Sequence, residues 1–591
     1  MIIMERMKKI YKRVIFVIAL LGGAFFTSCS DYLTIIPPSV VTHENFWKTE
    51  AEVKGMAATA YLQLCNEEAI KKSIIWGESR AETTVYNESR ASDHLINLMR
   101  SLLYDDNEFA GWDIYYKAIN YCNLVIEYGP LVLEEDPSFS EGEMQVLEGQ
   151  MKALRAYAHF VLLRAFCNIP LAITPVMADS EIPEYPQEHP MVVLDQIYSD
   201  LSDASNLVLK SDGTNKSNEN LGYITTNAVY TLMADVNMWQ AAFAQYYDGE
   251  ETDYQFTRTA YDYYTSAIAN CDYVLNEMDR IHKEKEDLGK SETNFRYNLI
   301  TNRYDLRPDR NEGFYGKCAV YEQIFGTQNS TESIFEFQIN DNNEGGDGIK
   351  RLYGREPTGN SADLLVPTTF LGKFEEDDLR KYSFISAIPP KSTRKAPINN
   401  YVMKYAIEST PSTADGEPTY RKNDDNYANW IVYRKSDVML MKAEALLLRS
   451  ESPSTDEIAE AFDLAYAINL RWRIDTTATE IKNPIAPITQ RDDCLQFVRD
   501  EKLRELCFEG KSWYDLVRKA LMTKNIEKRL DVIETSYSGK LMGVDSKVMR
   551  LRYNDISALF MPISKREMTY NKLLIQNKSC INSDDTLIEG D

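Results

Sequence analysis

Glu505 and Glu509 stand four residues apart in RDEKLRELCFEGKSWYDLVRKA (499–520), on one face if the stretch is helical. Two carboxylates on one face can act as an acid and base pair, or they can hold helices together through arginine. Arg499, Glu501 and Arg504 share the same turns, with Trp513 and Asp515 just beyond. An arginine within one turn of each carboxylate keeps it ionised, the opposite of the raised pKa that a general acid needs. The stretch therefore reads as a structural ion-pair network of Glu501, Arg504, Glu505 and Glu509, with no catalytic residue in it.

Other chemistry is sparse. The chain has no G-x-S-x-G, no H-E-x-x-H and no glycine-rich phosphate loop, so neither cofactor nor catalytic centre is expected. Its histidines (43, 94, 159, 189 and 282) lie far apart in sequence, none with a second metal ligand at helical spacing. The run from Asp341 to Gly346 faintly suggests a calcium loop. Leu352 stands where the bidentate glutamate belongs, so it reads as plain loop and no metal is expected. Cysteines 65, 122, 167, 271, 318, 494, 507 and 580 are scattered singly without a C-x-x-C pair, and read as mostly buried free thiols.

The N-terminus fixes a compartment. Arg6, Lys8, Lys9, Lys12 and Arg13 form a basic leader, followed by the apolar run VIFVIALLGGAFF (14–26) and then TSCS. That run is too short to span a bilayer but suits a signal-peptide core. Small residues directly before Cys29 make it the expected lipidated first residue of a mature lipoprotein, anchored rather than embedded. Removing a leader with five basic residues and one acidic residue takes the formal charge from −25 to −29. A surface so acidic argues against nucleic acid, whose binding depends on neutralising phosphates.

The elements that must position any site are mainly helices. Leu147, Met151, Leu154, Ala158, Val161 and Ala165 repeat at helical spacing until Pro170 stops them. Comparable amphipathic stretches run through 111–129 and at about 192–209, 226–247, 261–278, 433–449, 458–471 and 495–508. Paired helices with small residues at crossing points predict an all-α-dominated, irregular tetratricopeptide-like helical-hairpin scaffold. Between 280 and 430 the chain turns polar and rich in Gly, Asn and Asp, with one clear strand, ESIFEFQIN (332–340). The expected organisation is a signal peptide (1–28), an N-terminal helical-repeat region (29–280), a loop-rich region with short strands (281–430) and a C-terminal helical region (431–591). Ligand sites usually sit on long loops carried by a rigid frame. Tyrosine is abundant, at 37 of 591 residues. Several tyrosines fall on helical core stripes. Others fall in loops (86, 104, 297, 304, 315 and 353), where a ring can face a sugar or a peptide side chain.

In order along the chain, CSDYL, NFWKTEAEVKGMAATAYLQL, WDIYYKAINYCNLVIE, MKALRAYAHFVLLRAFCNIPL, ESIFEFQIN, LVPTTFLGKFEEDDLRKYSFI, IVYRKSDVMLMKAEALLL, AINLRWR, VRDEKLRELCFEGKSWYDLVR and LFMPISKREMTYNKLLIQN carry a family likeness over roughly residues 29–577. The chain resembles the SusD/RagB family of outer-membrane lipoproteins, which bind nutrients for a SusC-like TonB-dependent transporter. It departs from the pattern at Lys511-Ser512 and Lys519-Ala520. The resemblance implies a non-catalytic protein, lipid-anchored to the outer membrane and facing outward, that captures a ligand and passes it to the transporter. Glycan is the commonest ligand class implied and peptide is the alternative; a surface glycoside hydrolase is the further one. The resemblance also implies that 499–520 clamps the C-terminal helices to the rest of the fold. It places the ligand against residues 76–90 and loops of the middle region, with Arg80, Tyr86, Asn87, Tyr304, Tyr315 and Tyr353 as candidate contacts. Tyr86 and Tyr353 would stack on the ligand and Asn87 would orient it. Arg80 either offers a donor fork to sugar hydroxyls or a carboxylate, or pairs with Glu78 or Glu82 and shapes the loop.

Overall fold

Helix starts along the chain are written in capping residues. Thr49 with Glu52, Ser140 with Glu143 and Ser454 with Glu457 each form a reciprocal capping box, satisfying two otherwise orphaned backbone donors. Each such cap contributes on the order of 1 kcal/mol. The helices so begun are α1 (Glu50–Cys65), α5 (Glu141–Phe166) and α11 (Thr455–Arg471). The computed structural model describes residues 46–178, 182–211, 222–287, 319–326, 328–339, 345–354, 362–387, 399–410, 416, 418–421, 428–472, 485–541 and 543–586.

Between these elements lie α2 (Glu67–Ile74), β1 (Val85–Tyr86), α3 (Asp93–Met99), β2 (Leu103–Tyr104) and α4 (Asp113–Tyr128). After α5 come β3 (Ile169–Pro170), β4 (Gln187–Glu188), α6 (Pro190–Leu207), α7 (Thr226–Tyr247) and α8 (Ala260–Asp287). The middle region adds β5 (Ser333–Phe337), α9 (Gly345–Tyr353), β6 (Leu364–Leu365), β7 (Ile407–Ser409), β8 (Thr419–Tyr420) and β9 (Trp430–Arg434). The C-terminal part contains α10 (Lys435–Leu448), α11, α12 (Arg491–Leu506), α13 (Ser512–Leu521), α14 (Ile526–Glu534), α15 (Ser546–Arg552), α16 (Lys565–Tyr570) and β10 (Cys580–Ile581).

The long helices pack in chain order: α1 on α4, α4 on α5, α5 on α6, α6 on α7, α7 on α8, α8 on α10, α10 on α11 and α11 on α12. Each buries its apolar stripe against its neighbour, as the helical spacing requires. The α5 stripe expected from the sequence is interior from Met151 on, with Met151, Leu154, Ala158, Val161 and Ala165 almost wholly covered, while Leu147 is half-buried. The structure is helix-dominated, and β-structure among the described residues is confined to two-stranded pairs and an isolated bridge between Ile385 and Val402. Tyr261, which the helical spacing of 261–278 places on a core stripe, is instead exposed at the start of α8.

The strand expected at 332–340 is β5, paired antiparallel with β9. Its alternation does not separate core from solvent, because every residue of both strands is buried. Glu336 is fully interior, and its carboxylate takes hydrogen bonds from Ser333 Oγ, Asn429 Nδ2 and the Asn329 amide. No helix among the described residues is long and apolar enough to cross a membrane. The described cysteines are free thiols, Cys167 and Cys580 partly exposed and the other five buried.

Candidate ligand-binding site

The opening pair of carboxylates lies in the interior with its oxygens occupied. Glu505 Oε1 accepts from Arg434 Nη1 and Arg471 Nη2, both at 2.6 Å; its Oε2 accepts from Trp472 Nε1 at 2.7 Å and Arg380 Nη1 at 3.1 Å. Glu509 Oε1 accepts from Lys404 Nζ at 2.6 Å and Arg434 Nη2 at 2.7 Å. Glu501 binds Arg380 through Oε1 at 2.6 Å, and Asn469 and Arg504 through Oε2 at 2.9 and 2.8 Å. Burial pushes the Glu501 carboxyl up, but Arg380 and Arg504 outweigh it and bring it down to about 2. Glu505 and Glu509 are likewise held below the usual carboxylate range, burial being overcome by Arg471 and Arg434 around the first, and by Arg434 and Lys404 around the second. All three stay charged, which suits a brace.

The partners differ from those expected. The sequence pointed to arginines within one turn, yet Arg499 leans on Glu444 and Arg504 touches only Glu501 of the three acids. The cations that matter arrive from residues 380, 404, 434 and 471, on other elements. Arg504 keeps some solvent exposure, whereas Arg380, Arg434 and Lys404 have none. Arg504→Ala should therefore cost only about 1–2 kcal/mol, since Glu501 retains Arg380 and Asn469. Urea unfolding should show a small fall in midpoint with an unchanged slope.

The residues expected to touch ligand are placed as follows. Arg80 is buried, stacks 4.3 Å from the Trp513 ring centre and donates to the carbonyls of Ala558 and Leu559. It pairs with neither Glu78 nor Glu82, because the backbone of 558–559 takes its donors. Tyr86 is buried, and its hydroxyl accepts from Arg100 Nη2 at 2.6 Å. Asn87 is buried and donates to the Ala362 carbonyl at 2.8 Å. Tyr353 is not on a loop but ends α9; it is 1% exposed, donates to the Phe508 carbonyl and stacks on Tyr405. These four hold the frame, and their rings and donors face inward. Cys29, Tyr304 and Tyr315 lie outside the described residues.

The segments nevertheless meet. β1 pairs antiparallel with β6, Val85 opposite Leu365 and Tyr86 opposite Leu364. The Asn87 amide extends the pairing to the Asp363 carbonyl, and the Asp363 amide donates to the Arg351 carbonyl of α9. Asn87 Oδ1 accepts from the amide and hydroxyl of Ser89, a turn that lifts Arg90 outward. Gly348 lets α9 lie against α2, where a β-carbon would sit 2.8 Å from the Glu67 carbonyl. Tyr353 then points into the core while Arg351, two residues earlier, faces solvent.

At this junction two guanidiniums share one carboxylate. Arg351 Nε lies 3.0 Å from Asp363 Oδ2, and Arg90 Nε lies 3.8 Å from Oδ1. The Asp363 side chain is 5% exposed, whereas those of Arg90 and Arg351 are 46% and 52% exposed. Sequence reasoning missed both arginines. Arg90 closes the stretch it had singled out, and the Asn87–Ser89 turn chemistry was the available signal. Elsewhere, a cavity of ≈ 30 Å³ lined by Tyr157, Arg164, Trp430, Tyr433, Lys511 and Tyr514 has room for water, not for a sugar ring.

Comparison with known proteins agrees with this architecture. Residues 379–579 match a family model described as the SusD family, and residues 31–237 match one described as "Starch-binding associating with outer membrane". A SusD-like protein of Formosa agariphila is 24% identical over 535 residues, covering 87% of this chain and 92% of its own. A SusD homolog from Bacteroides thetaiotaomicron shares the fold with a TM-score of 0.63 at 17% identity, over 90% of this chain and 98% of that one. NanU of B. fragilis does so with a TM-score of 0.59 at 19% identity, over 92% and 99%. Matched at both ends by models of one kind, and sharing the fold of SusD proteins over nine-tenths of its length, the chain belongs to the SusD/RagB family.

Proposed function

We propose that this protein is a lipid-anchored outer-membrane protein that captures glycan at the cell exterior and delivers it to a SusC-like TonB-dependent transporter, without chemistry of its own. The observation that carries the reading is the match of residues 31–237 to a family described as starch-binding and associated with the outer membrane. The basic leader, the short apolar run and Cys29 fit the anchoring half of it. The frame fits the non-catalytic half. A glycoside hydrolase needs two carboxyl groups roughly 5–10 Å apart across a cleft, one of them protonated. Glu501, Glu505 and Glu509 are instead ionised, buried and saturated with donors.

The anchor is tested by fractionation. Wild-type protein should sediment with the outer membrane and, after mild solubilisation, co-purify with a large β-barrel protein. Cys29→Ala should give a folded protein in the soluble fraction, because the thiol that takes the lipid is gone. Equal membrane association of the variant would contradict the lipoprotein assignment.

A further inference from the structure

The Arg90–Asp363–Arg351 group is chemically unbalanced. Two guanidiniums meet a single carboxylate within ion-pair distance and stay about half exposed, on a chain whose formal charge is −25. Asp363 accepts a hydrogen bond from Arg351 Nε and lies within ion-pair distance of Arg90 Nε, and no side chain among the described residues takes up their terminal Nη groups, the planar fork that matches a carboxylate or sulfate. Asp363 itself is pinned on three sides, its carbonyl by the Asn87 amide, its amide by the Arg351 carbonyl and its carboxylate by Arg351. Strand pairing and a helix end thus fix the carboxylate and the backbone on both sides of it, and the Nε hydrogen bond to Asp363 orients Arg351. Glu108 and Glu67 lie near enough to favour the charged Arg351, behind the stronger hydrogen bond to Asp363. They leave its exposed edge open to solvent.

We propose that Arg90 and Arg351 form an anion-selective subsite that recognises an acidic group, carboxylate or sulfate ester, on the captured glycan. The subsite rests on the glycan-capture reading and narrows it to charged sugars. The overall field of an acidic protein repels acidic glycans, and two forked donors at one place would oppose that repulsion locally.

Titration calorimetry with four tetrasaccharides tests this: tetragalacturonate, its fully methyl-esterified form, a κ-carrageenan tetrasaccharide and maltotetraose. Tetragalacturonate or the sulfated probe should bind at least tenfold more tightly than the uncharged pair, with affinity falling as salt rises. Which of the two binds better identifies the acidic group. Arg90→Gln and Arg351→Gln should each weaken the preferred probe about tenfold or more, with melting curves unchanged. Arg351→Lys, which keeps the charge but loses the fork, should recover only part of the affinity.

Binding of neither charged probe more tightly than the uncharged pair, or equal binding by wild type and both Gln variants, would overturn the subsite while leaving glycan capture intact. Failure of all four probes to bind would overturn both readings. Binding of an acidic peptide through the same arginines, with no glycan bound, would overturn the assignment to sugars.

Discussion

Arg434→Ala should be among the most destabilising single changes in the molecule, at roughly 3–5 kcal/mol. Its guanidinium reaches Glu505 through Nη1, Glu509 through Nη2 and Nε, and the Glu505 carbonyl through Nη2, all without solvent. Truncation leaves two carboxylates sharing Lys404, Arg471 and Arg380 where one more cation stood. A buried ion network is a poor source of net stability compared with apolar packing, but removing one member strands charge in the interior. Equilibrium urea unfolding should show the loss as a lower midpoint, several times the shift from Arg504→Ala. Similar effects of the two variants would mean that the brace is not centred on Arg434. Acid should act on the same network. Glu501 has a folded pKa of about 2 against an ordinary value of 4.5, so its contribution is present above about 4.5 and is lost as pH falls towards 2. Glu78 and Glu336, raised by burial, act the other way and at higher pH, above about 4.5, where they take up protons in the folded state before an ordinary carboxyl would.

Glu78→Ala should cost about 3 kcal/mol or more, for a reason tied to helix ends. Helix α13 begins after Lys511, whose side chain provides no cap. The cap comes from Glu78, some 430 residues earlier, which accepts from the amides of Phe508, Lys511 and Ser512 and the hydroxyls of Ser512 and Thr83. A negative charge at a helix start also meets the positive end of the helix dipole. The hydroxyls can turn elsewhere after truncation, but the amides cannot, and each buried orphan costs about 1–3 kcal/mol. Phe508 adds to the dependence: its backbone sits at φ +68°, a region L-residues avoid, held by Glu78 on its amide and Tyr353 on its carbonyl. Glu78→Gln, which keeps one acceptor oxygen, should fall clearly short of the alanine effect in urea unfolding. Equal losses would locate the stabilisation in the charge rather than the cap.

Helical order was readable from sequence because it depends on local spacing. The stripe in α5 needs only neighbours within a few turns. The acids of the brace were readable for the same reason. Their partners were not: Arg434 lies 71 residues from Glu505, and Arg380 lies 125 away. Helical periodicity carries no information at such separations, so the nearest arginine in sequence, Arg504, was given a role that belongs to Arg434. The inward placement of Arg80, Tyr86, Asn87 and Tyr353 was hidden for a related reason. Residue type alone favoured Arg80, Tyr86 and Tyr353, but the same donors and rings that suit a sugar also suit a core junction. Which use wins was settled by Leu559, Arg100 and Phe508, all contributed by other parts of the chain. Arg90 and Arg351 become neighbours only through a strand pair whose Asn87–Ala362 bond spans 275 residues.

Capture without turnover is most directly tested by incubating the purified protein with a mixed pool of neutral and acidic oligosaccharides, then analysing the retained and free fractions by mass spectrometry. The expected result is a retained subset of glycans with every mass in the pool unchanged. New, shorter masses that disappear when the protein is omitted would show hydrolysis and contradict the account, as would retention of no glycan at all.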